Sequence, residues 1–157
     1  MPKIFELDYI FPKDILLEEF DKLLKGRYEI QEPGREDQFD GFWLLFSNDV
    51  TEKIAKQFID YYDIPTNKYI VNYLLIEAGK ELPWHADQEG SMCAINCILT
   101  PDPAPIEFED GEVYYDTALV DVRSLHRVSA RPYDRKVFRI TFQDENTTFK
   151  NVYKWLR

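Results

Sequence analysis

Long apolar runs are missing from this sequence. None approaches the ~20 residues that span a bilayer, and residues 1–6 carry no secretory pattern, so the expectation is a cytoplasmic protein with no membrane partner. Positive charge is short as well: 19 Lys and Arg stand against 29 Asp and Glu, a net charge of −10, which argues against a nucleic-acid partner. Cysteine is nearly absent. Cys93 and Cys97 fall on one face of an expected strand, too far apart along it to bridge, and no other thiol exists to complete a thiolate metal site. They read as buried reduced thiols of a reducing compartment. Internal repeats and low-complexity tracts are lacking, and there are two histidines, His85 and His126.

What is present suits one domain over residues 1–157, with 45% hydrophobic and 15% aromatic residues. Residues 1–10 alternate enough for an edge strand. Phe11-Pro12 opens a helix with Ile15, Leu16, Phe20, Leu23 and Leu24 as its apolar stripe and Gly26 as its end. Residues 32–38 read as an exposed loop, with a mobile lid as the alternative. A short strand over 41–46 precedes a second helix, for which Asp49-x-x-Glu52 offers a capping box and Val50, Ile54, Phe58 and Tyr61 an apolar face.

From residue 68 the pattern turns all-β. Strands are expected over 69–76, 92–99, 117–122 and 136–142. Two more, 106–108 and 113–115, form a hairpin around Asp110-Gly111, and prolines at 101–105 close the strand before it. The fold class is mainly β with supporting α. Its expected form is a double-stranded β-helix, the jelly roll shared with cupins, with two N-terminal helices packed on one sheet. Residues 1–67 would be helical support, 68–143 the β-helix core, and 144–157 a tail docking through Phe149, Val152, Trp155 and Leu156.

Chemistry concentrates between residues 82 and 142. His85 and Asp87, two apart, face one side of a strand end, and His126 returns about forty residues later. Two imidazoles and a carboxylate suit a divalent iron that keeps positions open for substrates. Along 135–142, Phe138, Ile140 and Phe142 share one face while Val137, Arg139 and Thr141 share the other. An inward guanidinium needs an anion, and a hydroxyl two residues on adds a further hydrogen bond to a carboxylate. Residues 123–139 carry six basic side chains against Asp134 alone, a net of +5, so basic charge collects around His126.

His85-x-Asp87, His126 and Arg139-x-Thr141 together resemble the H-x-D…H…R-x-S pattern of iron(II)- and 2-oxoglutarate-dependent dioxygenases. Glu77-Ala78-Gly79 is similar to the turn before the H-x-D in their prolyl-hydroxylase-like branch, and the resemblance covers residues 69–143. It implies iron(II) on His85, Asp87 and His126, with 2-oxoglutarate and oxygen as cosubstrates and ascorbate as a stimulant. The far carboxylate of 2-oxoglutarate would lie on Arg139 and Thr141, with Arg135 as the competing anchor. Ile76 stands where that branch often has a tyrosine, which passes any tyrosine contact to Tyr73 or another residue. The implied reaction is hydroxylation of a protein, peptide or small-molecule substrate with release of succinate and carbon dioxide.

Trp84, next to His85, would shape the substrate entrance or simply pack. Asn96 would meet the cosubstrate or satisfy a backbone group. Asn72 and Tyr73 lie on opposite faces of one strand, so at most one points inward. Two other readings stand beside the oxygenase: a cupin-like metal enzyme without 2-oxoglutarate, against which the count of two histidines weighs, and a non-catalytic jelly-roll binding module, which has no need of a triad and an inward arginine.

Overall fold

The computed structural model describes residues 2–30, 34–36, 39–101 and 105–157. Strand β1 (Ile4–Glu6) leads to helix α1 (Lys13–Ile30), strands β2 (Gly34–Glu36) and β3 (Phe42–Phe46), and helix α2 (Asp49–Tyr61). Eight strands follow: β4 (Tyr69–Ile76), β5 (Leu82–His85), β6 (Cys93–Ile98), β7 (Ile106–Phe108), β8 (Gly111–Val113), β9 (Thr117–Val120), β10 (His126–Val128) and β11 (Arg135–Phe142). Helix α3 (Phe149–Trp155) completes the order.

Two antiparallel sheets result. The larger has seven strands in the order β1-β9-β6-β11-β4-β3-β2, and the smaller has four in the order β5-β10-β7-β8. From β4 onward the chain passes back and forth between them, so strands far apart in sequence become neighbours. One core fills the space between the sheets, with Leu74, Ile98 and Val137 from the larger and Leu82, Phe108 and Val128 from the smaller. A second core covers the other face of the larger sheet, where Phe20, Phe58 and Val152 of the three helices meet Tyr73, Ile95 and Phe138. Burial on both faces explains why β6 and β9 read as unbroken buried runs rather than alternating ones.

Several local expectations shift. Helix α1 runs through Gly26 to Ile30, since one glycine costs a helix interior only about 1 kcal/mol. Its Ile15 is exposed, while Leu16 and Phe20 carry the contact. The cap of α2 is Asn48, not Asp49: Asn48 has extended backbone and its side chain accepts from the Thr51 N–H. The buried face moves accordingly to Thr51, Ile54, Ala55, Phe58 and Ile59, leaving Val50 and Tyr61 exposed.

Residues 34–36 are the edge strand β2 on β3 rather than loop, because edge pairing needs only main-chain donors and acceptors. The rest of 32–38, and with it the lid, lies outside the described residues, as do residues 102–104 of the proline tract. The hairpin closes at Phe108 and Gly111 around Glu109-Asp110, with Gly111 at φ 137°, so the second strand ends at Val113 before Tyr114 and Tyr115. The tail docks through Phe149, Val152 and Leu156, with Trp155 partly buried. No described helix is long and apolar enough to cross a membrane. Both cysteines are free and buried, and burial pushes the Cys97 thiol up to about 11.

Candidate metal centre

The site begins with strand pairing in the smaller sheet. His126 on β10 sits directly across from His85 on β5 and, on its other side, from Phe108 on β7. Cross-strand neighbours on one face bring their side chains together, and the two imidazole centroids are 4.4 Å apart. Asp87 lies two residues beyond His85, and its N–H donates to the Val122 carbonyl at 2.9 Å, which ties it to the end of β9. The loop from β4 is fixed separately. Gly79, at φ 80°, donates to the Arg131 carbonyl at 2.7 Å, and the Ala78 N–H donates to Asp134.

The three side chains converge, with ligand atoms all within 4.8 Å of one another. His85 Nε2 is 3.4 Å and His126 Nε2 is 3.3 Å from Asp87 Oδ1. The opposite nitrogens decide the protonation. His85 Nδ1 is 2.7 Å from the Pro83 carbonyl and His126 Nδ1 is 2.6 Å from the Ser124 carbonyl. A carbonyl only accepts, so each Nδ1 carries a proton, which leaves Nε2 as the ring atom available to a metal on the side of Asp87. Two imidazole nitrogens and a carboxylate oxygen thus meet around one point. The donor set therefore fits a divalent metal, with backbone carbonyls holding both rings in the ligating tautomer.

Burial alone would raise the Asp87 carboxyl, but the Arg139 guanidinium and the two imidazoles outweigh it and hold the group well below the usual carboxylate range. Arg139 donates to Asp87 Oδ2, which leaves Oδ1 facing the histidines.

A cavity of about 230 Å³ opens over the triad. Strand β11 runs along one wall and turns Arg135, Arg139 and Thr141 into it. Arg135 is 5% exposed and donates to the Tyr115 hydroxyl at 3.0 Å, which also accepts from Asn96 Nδ2 at 3.1 Å. No carboxylate pairs with Arg135 among the described residues, and its Nε has no partner. Asn96 Oδ1 is likewise unpartnered, so Asn96 serves a side chain rather than the backbone. Phe39 covers the metal face, its ring 5.2 Å from that of His85.

Two expected residues lie elsewhere. Tyr73 is fully buried in the helix-side core and shares a 2.8 Å hydrogen bond with the Thr51 hydroxyl; alternation along β4 turns Asn72 into the cavity instead. Burial pushes the Tyr73 phenol up to about 12. Trp84 precedes His85, so alternation throws it to the outer face of β5, where the Arg127 guanidinium lies 5.2 Å from its ring. The basic collection around His126 also divides. Arg127 pairs with Glu107 and Lys136 with Asp21, and of this stretch only Arg135 and Arg139 face the cavity. Tyr115, expected within a hairpin strand over 113–115, has no site role in the sequence reading; the strand ends at Val113, so strand alternation does not set where Tyr115 points.

No family model matches the sequence, and no curated protein resembles it in sequence. Solved structures do resemble it in shape. A prolyl-4-hydroxylase from Pseudomonas putida superposes with a TM-score of 0.63 at 12% identity, over 91% of this chain and 93% of that one. A prolyl hydroxylase from Trichoplax adhaerens, in complex with a hypoxia-inducible-factor peptide fragment, gives 0.64 at 12% identity, over 96% and 85%. HygX from Streptomyces hygroscopicus, with nickel, 2-oxoglutarate and hygromycin B bound, gives 0.61 at 9% identity, over 92% and 83%. The chain shares the mainly β fold of these prolyl hydroxylases and of HygX.

Proposed function

We propose that the protein is an iron(II)- and 2-oxoglutarate-dependent oxygenase related to the prolyl-hydroxylase-like branch. It hydroxylates a peptidyl or small-molecule substrate and releases succinate and carbon dioxide. The observation that carries this reading is one cavity holding both a converging His-Asp-His triad and a buried guanidinium without a carboxylate partner among the described residues. A binding module gains nothing from either. The likeness in fold to structures whose names include prolyl hydroxylase and 2-oxoglutarate supports the same reading.

His85 Nε2, His126 Nε2 and Asp87 Oδ1 would hold iron(II), which supplies the oxygen activation that no side chain here can perform. The chain contributes binding and exclusion of water. Arg135 anchors the far carboxylate of 2-oxoglutarate, with Tyr115 and Asn96 holding the guanidinium in place. This reverses the preference for Arg139 drawn from Thr141: Arg139 is engaged by Asp87, whereas Arg135 has no counter-charge, and burying an unpaired cation is costly. Val137, between Arg135 and Arg139 on β11, pairs with Leu74 and Ile98, and all three lie in the core between the sheets.

Succinate formation from 2-oxoglutarate by anaerobically iron-loaded protein exposed to oxygen tests this reading. Wild type is expected to show slow turnover that His85→Ala abolishes and Arg135→Gln strongly reduces. Wild type that neither turns over nor binds 2-oxoglutarate refutes the assignment.

A further inference from the structure

Two arginines enter this cavity from one strand, and one cosubstrate accounts for only one of them. Arg135 and Arg139 are four residues apart on β11, about 13 Å between their Cα atoms, so they serve different ends of the space. Among the described residues, Asp87 is the only acid lining the cavity. With a divalent metal on the triad the lining carries a formal charge of +3, and dianionic 2-oxoglutarate lowers this to +1. A further monoanion balances the site.

The surroundings of Arg139 are built to receive one. In the sheet register Arg139 lies between Asn72 on β4 and Asn96 on β6, a polar row across three strands of the inner face. The Nε of Arg139 and Oδ1 of Asn72 are both buried without a partner. Thr141, two residues further along β11 and 7% exposed, lines the cavity with a hydroxyl that makes no hydrogen bond to a described residue. Apolar side chains adjoin this row: Ile70 on β4, paired with Thr141, Leu44 on β3, and Phe39 beside His85 all line the cavity. A cavity of about 230 Å³ lies below the roughly 300–1,000 Å³ of sites that enclose drug-sized ligands.

We infer that Arg139 and Thr141 form a carboxylate subsite for the prime substrate, which is a small apolar monocarboxylic acid rather than a neutral peptide segment. This rests on the oxygenase reading. The acid's carboxylate takes the free edge of the Arg139 guanidinium and the Thr141 hydroxyl, and its carbon skeleton lies against Phe39, Leu44 and Ile70. Arg139 keeps its bond to Asp87 and so sets the acid's distance from the metal row.

The test is calorimetric. Protein loaded with nickel(II) and saturating 2-oxoglutarate is titrated with isobutyrate, isovalerate, 4-methylpentanoate and cyclopentanecarboxylate, each beside its amide. At least one acid is expected to bind and its amide to bind at least tenfold more weakly. Arg139→Gln should lose about ten- to hundredfold in affinity for that acid, the range for a charge-assisted hydrogen bond, while Arg139→Lys recovers part of it. Thr141→Val, close in shape and uncharged, should lose about two- to tenfold. The affinity of nickel-loaded protein for 2-oxoglutarate is measured in the same variants and should fall more in Arg135→Gln than in Arg139→Gln.

Acids and amides that bind alike, or a panel in which none binds, overturn the subsite while 2-oxoglutarate binding keeps the oxygenase reading intact. Loss of 2-oxoglutarate in Arg139→Gln with retention in Arg135→Gln also overturns it, by making Arg139 the cosubstrate anchor. Wild type that takes up neither nickel nor 2-oxoglutarate removes the oxygenase reading and this inference with it.

Discussion

Tyr115→Phe isolates the deep end of the cavity with the loss of one oxygen. The Tyr115 hydroxyl accepts from Asn96 at 3.1 Å and from Arg135 at 3.0 Å, and the ring is 3% exposed, so phenylalanine keeps the packing. Both donors then lose their acceptor. A buried donor left without one costs about 1–3 kcal/mol, and more when it is charged. Asn96 Oδ1 and Arg135 Nε are already unpartnered, so neither side chain has a spare contact to compensate. Water can enter the cavity and recover part of the loss, which puts the expected destabilisation at about 2–4 kcal/mol. Urea unfolding of metal-free protein should show it as a lower midpoint at unchanged slope. In turnover assays the KM for 2-oxoglutarate should rise more than kcat falls, because the guanidinium proposed to receive the far carboxylate is no longer held. Tyr114→Phe is the internal control, since Tyr114 is 61% exposed and should change neither quantity. A loss below about 0.5 kcal/mol together with an unchanged KM would refute the role given to Tyr115.

Other perturbations address separate parts of the molecule. Trp84→Ala should leave the KM for 2-oxoglutarate unchanged, because Trp84 stacks with Arg127 on the outer face of β5; a raised KM would return it to the substrate entrance. Asn48→Ala removes the cap of α2 and should lower stability by about 1–2 kcal/mol in urea unfolding. The Tyr73 phenol, lifted from 10.0 to about 12 by burial, gives a pH signature. A folded-state value above the unfolded one means stability that is present below pH 10 and lost as pH rises toward 12, worth roughly 2–3 kcal/mol. The stability difference between wild type and Tyr73→Phe should shrink across that window, whereas a constant difference would show that Tyr73 ionises freely. Cys97, raised to about 11, should resist iodoacetamide at pH 8 until the protein is unfolded.

The parts of the fold legible in the sequence are those set by short-range alternation. β4 has the expected bounds and β11 exceeds them by one residue at its start, because period-two patterning over eight residues leaves little room for another reading. His85 and Asp87 could be placed together for the same reason. Alternation also decided Tyr73 and Trp84, but only once it was known which face of each strand looked inward. Asn72 and Tyr73 were recognised as opposites; the helices that cover the Tyr73 side settled the choice. Depth was not legible at all. Arg135, Arg139 and Thr141 share one parity, so periodicity cannot rank them, and the Arg135–Tyr115 contact depends on where the hairpin of β7 and β8 ends. Helix faces erred by one position because Val50 and Tyr61 are as apolar as the residues that pack, and a cap residue is chosen by backbone angles that Asn48 and Asp49 do not reveal in sequence.

The same strand also explains why this two-sheet fold needs three helices. β11 lies between β4 and β6 in the larger sheet, and its inward face carries two arginines and a threonine where a plain sandwich would place hydrocarbon. Each buried guanidinium costs several kcal/mol in lost hydration, only partly returned by Asp87 and Tyr115. The outward face has to offset that. Phe138, Ile140 and Phe142 are each fully buried against α1, α2 and α3, and burying side chains of this size contributes about 1.5–3 kcal/mol apiece. A sheet with one face in water could not hold such an inner face. Covering the outer face with helices therefore lets the inner one keep charge, and the polar row of Asn72, Arg139 and Asn96 lies on the three strands whose opposite faces those helices bury.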